Sequence, residues 1–436
     1  MEANLFASDF ENKPYWWDAA PPVPTPVVDL PKSIDVAIVG AGITGLSAAL
    51  TLARAGRSVI VLDSEDPGSG ASRRSVGLLN RRPKASFAEL ERTRGAPFAE
   101  ALYREQYEAL QSTVAFIRAE QINCHLDLCG RYIAATSPAA YTALESDLRV
   151  TKGRLSWDYQ MVPKAEEKSQ TGSLRYFGGA ILPDIGSLHP GLYHRGLLER
   201  ATEAKALIQG RTSVTSVRKD DGLGTVVTNR GTIKAQEIIV ATNGYTPRQL
   251  GWFARRVIPF TGYVAATELL PESLIEQVLP GRKPVLESRF DQNVLRRAPD
   301  SSRLIVCGAT GSLMKFPAQI AQKMRDVLTY MHPELDGVRF QRVWSGQCAG
   351  TFDMKAHIGQ RKDGIRYAIG YNFGGILIGT YFGRKLANQI VGSPDGSTIF
   401  EKIPIRTMPF YTGNPWFVPF AMKYFNWRDR RFDRAA

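Results

Sequence analysis

Twice along the chain an unbroken apolar run gives way, across a glycine turn, to a helical repeat. The first instance begins at Ile34-Asp-Val-Ala-Ile-Val, turns through Gly40-Ala-Gly-Ile-Thr-Gly, and continues from Leu46 with apolar residues at helical spacing. A second apolar run, Ser58-Val-Ile-Val-Leu, then ends at Asp63. Short apolar runs bounded by turn residues suit strands buried on both faces of a parallel sheet. The second instance is Tyr367-Ala-Ile, then Gly370-Tyr-Asn-Phe-Gly-Gly, then a helix from Ile376. Glu237-Ile-Ile-Val-Ala-Thr-Asn-Gly adds another buried strand that closes in small residues.

Between these segments the periodicity changes. Residues from about 86 to 124 repeat at helical spacing through Tyr107, Leu110, Val114 and Ile117, and His189-Pro-Gly starts a helix that runs to about Ala204. Residues 131–185 mix short strands and polar helices. Thr212-Ser-Val-Thr-Ser-Val and the run from Gly224 predict a strand and hairpin around Asp220-Asp-Gly. From about 255 to 330 the runs at Val257–Thr267, Asn293–Arg297 and Arg303–Ala309 read as an antiparallel sheet, followed by a helix near Ala318–Met331. The lead-in, residues 1–33, is Pro-rich and irregular, with Pro14-Tyr-Trp-Trp-Asp expected to dock on the body.

Composition narrows the class. At 436 residues, 44% hydrophobic and 22% charged, the chain has room for two domains or one with large insertions. No run of about 18 apolar residues predicts a membrane span, so an integral membrane protein is not expected. Met1-Glu-Ala-Asn-Leu-Phe does not read as an export signal, and Cys124, Cys129, Cys307 and Cys348 show no metal spacing. A cytoplasmic protein without a metal site is the expectation. The net charge of +13 fits a basic surface or an attraction to anionic substrates or membranes; no nucleic-acid module accompanies it.

Gly40, Gly42 and Gly45 give the spacing of a dinucleotide turn. Gly40 permits the turn, Gly42 admits a pyrophosphate, Gly45 lets helix and strand pack, and the amides at Ile43 and Thr44 face the phosphates. Asp63, 23 residues after Gly40 and followed by Ser64, stands where a ribose hydroxyl is held. Together these predict an α/β, Rossmann-like dinucleotide-binding domain.

Several separated segments resemble the FAD-dependent D-amino acid oxidase/glycine oxidase superfamily: the fingerprint, Gly70-Ala-Ser-Arg-Arg-Ser-Val-Gly-Leu-Leu, Thr212–Val217, Ile239-Val-Ala-Thr-Asn-Gly-Tyr, Trp344-Ser-Gly to Thr351-Phe-Asp, and Gly370–Gly375. Pro14-Tyr-Trp-Trp-Asp and the strand through Pro259 look most like the γ-glutamylputrescine oxidoreductase group. The resemblance implies an FAD domain made of 34–85, 186–254 and 332–400, and an inserted antiparallel-sheet substrate domain made of 86–185 and 255–331. A tail, 401–436, completes the division. It further implies oxidation of a C–N bond to an imine, with hydride passing to flavin N5 and oxygen, or another carrier, taking the electrons. No dedicated catalytic side chain is assigned.

For cofactor contact the resemblance points to Ser72, Arg73 and Arg74 in the loop after the second strand, Val214 beside adenine, and Ala241, Thr242 and Asn243 at a strand end. It also points to Gly374, Gly375, Ile376 and Leu377 at the final helix start. The register of covalent attachment in some relatives falls at Gly346, so noncovalent FAD is expected. Substrate candidates are Arg81, Tyr263, Arg296, Arg297 and Lys355, with at most one of Arg296 and Arg297 facing the pocket because neighbouring strand residues point opposite ways. With the positive charge, they suggest an amine substrate bearing a remote anionic group. Two other readings stay open: a flavin dehydrogenase serving a quinone or carrier, and a non-catalytic FAD-binding subunit. The aromatic, basic tail from Met408 either packs back on the FAD domain or contacts a membrane peripherally.

Overall fold

The computed structural model describes residues 5–434, with side chains to Asp429; the first four residues of the lead-in and the last two of the tail lie outside the described residues. Two sheets organise the chain. The first runs in the order Leu207–Gln209, Val59–Leu62, Ser33–Val39, Gly231–Val240, Arg366–Ile369, all parallel, with His357–Gln360 antiparallel at its edge. Each central strand is one of the apolar runs read from sequence, and Val36–Ile38 and Ile238–Val240 are fully buried. The ribbon Val214–Asp220 with Leu223–Thr228 extends from Gly231–Val240.

Helix Ile43–Arg54 lies against this sheet and crosses helix Gly375–Ile390 at unusually short range. Gly383 makes that range possible: a Cβ there would sit 2.4 Å from the Thr44 carbonyl oxygen and 2.8 Å from Ser47 Cβ. Ser47 Oγ donates to the Thr380 carbonyl at 2.8 Å, and Thr44 and Tyr371 hydroxyls meet at 2.8 Å.

The second sheet has nine strands, largely antiparallel, in the order Phe6–Glu11, Phe340–Gly350, Ile258–Thr267, Leu304–Gly308, Val294–Arg297, Val285–Glu287, Arg131–Ala134, Gly179–Leu182, Gln160–Val162. Helix Pro317–Met331 covers it with Ile320, Met324, Leu328 and Met331. The architecture is therefore α/β, a parallel-sheet domain joined to a mixed sheet.

Three features depart from the sequence expectation. The lead-in is not wholly irregular, because Phe6–Glu11 pairs in parallel with Phe340–Gly350. That partner strand, expected in the 332–400 part of the FAD domain, pairs along Ile258–Thr267 and so belongs to the nine-stranded sheet. Helix Ala96–Ala119, expected in the substrate half, packs on Gly375–Ile390. Its apolar stripe fits that helix layer and gives no signal of which sheet it serves. Pro14-Tyr-Trp-Trp docks as expected: Trp16 is fully buried and its Nε1 donates to the Ser75 carbonyl at 2.8 Å.

Candidate functional site

A cavity of about 950 Å³ runs from the first glycine turn to the C-terminal helix. Its floor is the point where the two crossed helices begin. Helix Ile43–Arg54 starts at Gly42 and helix Gly375–Ile390 at Gly374, and neither of these glycines can supply a side-chain cap of its own. First-turn amides with no acceptor from the cap residue, together with the positive dipole end, make each start an anion-favouring surface. Both starts line the same cavity, through Gly42, Ile43 and Thr44 on one side and Gly374, Gly375 and Ile376 on the other. The close approach at Gly383 brings them together.

The first turn is held from behind. Gly40 has φ of +107°, and an added Cβ would lie 2.9 Å from the Ala241 carbonyl oxygen. Asp63 Oδ2 accepts from the Ala41 amide at 2.7 Å, and Ser72 Oγ accepts from the Ile43 amide at 3.1 Å. Burial pushes the Asp63 carboxyl up from its ordinary value, opposed by the backbone amides of Glu65 and Ala41 that donate to it. His194 reaches the same loop. Arg73 Nε donates to its Nδ1 at 2.9 Å, so Nε2 carries the proton and donates to the Ala41 carbonyl at 2.8 Å. Burial, and then the Arg73 charge, pull the His194 imidazole down to about 3, which keeps it neutral.

The second turn carries backbone strain. Asn372 and Phe373 both have positive φ, 45° and 73°, immediately before Gly374. Two consecutive non-glycine residues in this region cost on the order of 1–3 kcal/mol each, and such strain concentrates at functional sites. Asn243 Oδ1 accepts from the Gly370 amide at 2.8 Å and ties this turn to the strand end at Ala241. Asn372 Oδ1, buried at the cavity wall, has no hydrogen-bond partner among the described residues.

Most residues singled out from sequence converge here. Gly40, Gly42, Ile43, Thr44, Asp63, Ser64, Ser72, Arg74, Val214, Ala241, Thr242, Asn243, Gly346, Gly374, Gly375, Ile376 and Lys355 line the cavity. Gly45 and Leu377 stand beside it; Leu377 is buried in the core between the helices.

Arg73 does not line the cavity. Its guanidinium is fully buried against His194 and the carbonyls of Ala20 and Pro21, because the lead-in crosses behind the loop. Arg74 faces inward instead, donating to the Ser69 and Ser345 carbonyls over the Trp17 ring.

Four of the five substrate candidates are also turned away. Arg81 is paired with Asp184 and donates to the Asp158 carbonyl beneath Trp157. Tyr263 is buried with its hydroxyl donating to the Ser312 carbonyl at 2.6 Å. Arg296 is buried and donates to the carbonyls of Val76 and Leu188, while Arg297 pairs with Glu272 on the opposite face. Neither arginine of the pair reaches the cavity. The strand alternation was right, but the inward member meets the loop that walls the cavity.

Sequence reading missed the residues at the far end. Lys84 lines the cavity, its Nζ 4.1 Å from the Phe290 ring and 5.9 Å from Phe373. Its side chain keeps exposed surface, yet the protein packed around it draws the ammonium down to about 8 by desolvation. Phe290 stacks on Phe425 with centroids 3.9 Å apart, and its amide donates to Asp429 Oδ2 at 2.8 Å. Arg428 and Asp429 of helix Val418–Arg434 complete this end. The spacing of Val418, Met422, Phe425 and Asp429 was the available signal for that helix. Cys348 lines the wall beside Gly346, and burial pushes its thiol up to about 12.

The family model described as FAD dependent oxidoreductase (DAO) matches residues 35–389. Among curated proteins, a γ-glutamylputrescine oxidoreductase of Escherichia coli is 27% identical over 404 residues, covering 91% of this chain and 93% of its own length. A probable oxidoreductase OrdL of Rhizobium meliloti is 26% identical over 397 residues, 90% of this chain and 92% of that protein. The crystal structure of glycine oxidase from Geobacillus kaustophilus superposes with a TM-score of 0.73 at 20% identity, covering 87% of this chain and 99% of that one.

Proposed function

Because the chain belongs to the FAD-dependent oxidoreductase (DAO) family, we propose that it binds FAD noncovalently in this cavity and oxidises the C–N bond of an amine or amino acid derivative. One observation carries the reading: two helix N-termini that begin on glycine open on a single cavity, held together by the contact at Gly383. Such an arrangement suits a cofactor with a pyrophosphate at one place and an anionic ring edge at another.

The residues present fit FAD. Gly42, Ile43 and Thr44 would face the pyrophosphate, with Ser72 and Arg74 alongside. Asp63 and Ser64 would face the ribose, and Val214 the adenine. Ala241, Thr242 and Asn243 would border the chain between phosphate and ring. Gly374, Gly375 and Ile376 would meet the pyrimidine edge, where the unpartnered Asn372 Oδ1 offers an acceptor. When bound, FAD accepts hydride at N5 from the carbon beside the substrate nitrogen.

Noncovalent binding is supported by the wall itself. Gly346 has no side chain, and Cys348, with its thiol held protonated, is a poor nucleophile. Gly346, from the nine-stranded sheet, and Tyr245, in the short helical turn after Gly231–Val240, would border the ring region.

The substrate we propose carries an anionic group held near Lys84, with Lys355 a second cation on the wall. This moves the expected charge contact from Arg296 and Arg297 to a side chain that lines the cavity. The relatives named for γ-glutamylputrescine and glycine oxidation support an amine or amino acid. Oxygen is the acceptor we favour. Four free cysteines support a reducing compartment such as the cytoplasm. Purified protein exposed to amines in air tests the proposal: hydrogen peroxide should form with FAD that is released by acid precipitation. Flavin reduction without peroxide would replace oxygen by another acceptor, and flavin that stays with the precipitate would overturn noncovalent binding.

A further inference from the structure

We propose that the C-terminal helix and its flanking segments form a docking surface for an anionic lipid bilayer. Helix Val418–Arg434 has two apolar faces. The inner one packs on the body: Val418 and Met422 lie against Gly311, Phe425 stacks on Phe290, and Asp429 accepts from the Phe290 amide. A helix docked on one side normally presents polar residues on the other. Here the outer face presents Phe420, Tyr424 and Trp427, at 66%, 56% and 52% exposure.

The apolar surface continues beyond the helix. Phe410 and Trp416, just before it, are exposed, and so are Leu313 and Phe316 in the loop that follows Gly311. An exposed patch of this aromatic content marks an interaction site. Trp, Tyr and Phe on a basic amphipathic helix match the boundary between headgroups and acyl chains.

Charge selects the partner. Lys315 and Lys423 are exposed within the patch, Arg428 borders it, and the sequence continues Arg430-Arg431, whereas Asp429 faces inward. Each cation near an anionic leaflet contributes about 1 kcal/mol at its surface. A second copy of this chain, with net charge +13, would bring like charges together. Among the described residues no helix is long and apolar enough to cross a membrane, so the contact is peripheral. Phe290 and Arg428 also line the cavity, so the helix that carries the patch forms part of the cavity wall.

Co-sedimentation of the full-length, FAD-loaded protein with vesicles tests this. The protein should bind phosphatidylglycerol–phosphatidylcholine vesicles, bind phosphatidylcholine alone weakly, and dissociate as salt rises. The triple variant Trp416→Ser, Phe420→Ser, Tyr424→Ser should lose about tenfold or more in partitioning, with bound flavin and helix content retained. Lys423→Glu, at an exposed site, should weaken binding with all aromatics in place. No binding to anionic vesicles, or binding that neither variant reduces, overturns the proposal. So does self-association without vesicles that the triple variant abolishes, which would assign the patch to a second copy.

Discussion

Replacing Gly383 with alanine puts the joint between the two crossed helices under direct stress. The added Cβ would meet the Thr44 carbonyl oxygen at 2.4 Å and Ser47 Cβ at 2.8 Å. Ordinary contact begins near 3.4 Å, so the helices must separate by about 1 Å or the crossing must rotate. Backbone atoms bound within Ile43–Arg54 cannot retreat as a flexible side chain would. Overpacking of this kind costs about 1–3 kcal/mol, which corresponds to a fall in Tm of roughly 1–3 °C for a chain of this size. The same displacement moves one helix start relative to the other. Each dipole end is worth about 0.3–2 kcal/mol to a bound anion, so FAD affinity should fall about 2- to 30-fold. The assay is titration of the apoprotein with FAD, read by flavin fluorescence, beside thermal melting by circular dichroism. Gly153→Ala serves as control, since a Cβ there meets nothing within 4 Å in an exposed helix; it should leave FAD affinity unchanged and Tm equal or slightly raised. Wild-type Kd and Tm in Gly383→Ala would refute the claim that this contact sets the cofactor site.

Three further outcomes follow from the placement of charged groups. Arg297→Ala should leave kcat/KM unchanged, as the side chain pairs with Glu272 away from the cavity, whereas Arg296→Ala should lower stability by about 1–3 kcal/mol in denaturant titrations by stranding the Val76 and Leu188 carbonyls. Lys84, held near 8, is charged at neutral pH and loses its charge above that value; KM for an anionic amine should rise above pH 8, and Lys84→Met should raise KM about tenfold or more and remove that limb. A pH–KM profile identical in the variant would contradict the assignment. His194, His189 and His332 are buried, with imidazoles drawn to about 3, 4 and 4. The unfolded chain binds protons at these groups below about 6.5 and the folded chain does not, so their stability contribution is complete above pH 6.5 and declines toward pH 4. The loss is on the order of 3 kcal/mol per histidine by pH 4, and a Tm unchanged between pH 7 and pH 4.5 would count against it.

Where the sequence was legible, the cause was local. The turn at Gly40 and the turn at Gly374 each join an apolar run to a helical repeat over a dozen residues, so pattern alone located both helix starts. Their meeting in space depends on Gly383, which in sequence is only another small residue in an apolar helix. The strand Phe340–Gly350 was lost to the wrong sheet because a parallel partner, Phe6–Glu11, and an antiparallel one, Ile258–Thr267, lie far away along the chain. Arg73 and Arg296 illustrate a different limit. A guanidinium near a cofactor loop reads as a ligand contact, but whether it turns toward the cavity depends on which backbone carbonyls lie behind it. Here those carbonyls come from Ala20, Pro21, Val76 and Leu188. Lys84 and the C-terminal helix escaped notice because their common partner, Phe290, lies in a segment with no periodic signal of its own.

Paired helix starts at Gly42 and Gly374 are proposed to hold FAD where an amine can reduce it. Anaerobic mixing of the purified, flavin-containing protein with primary, secondary and γ-glutamyl amines and with amino acids tests it most directly, read as loss of the oxidised flavin band. At least one anionic amine should bleach the band, and Lys84→Met should require a higher concentration of the same compound. Protein purified without FAD and unable to take it up, or a flavin bleached by dithionite but by none of these compounds, would contradict it.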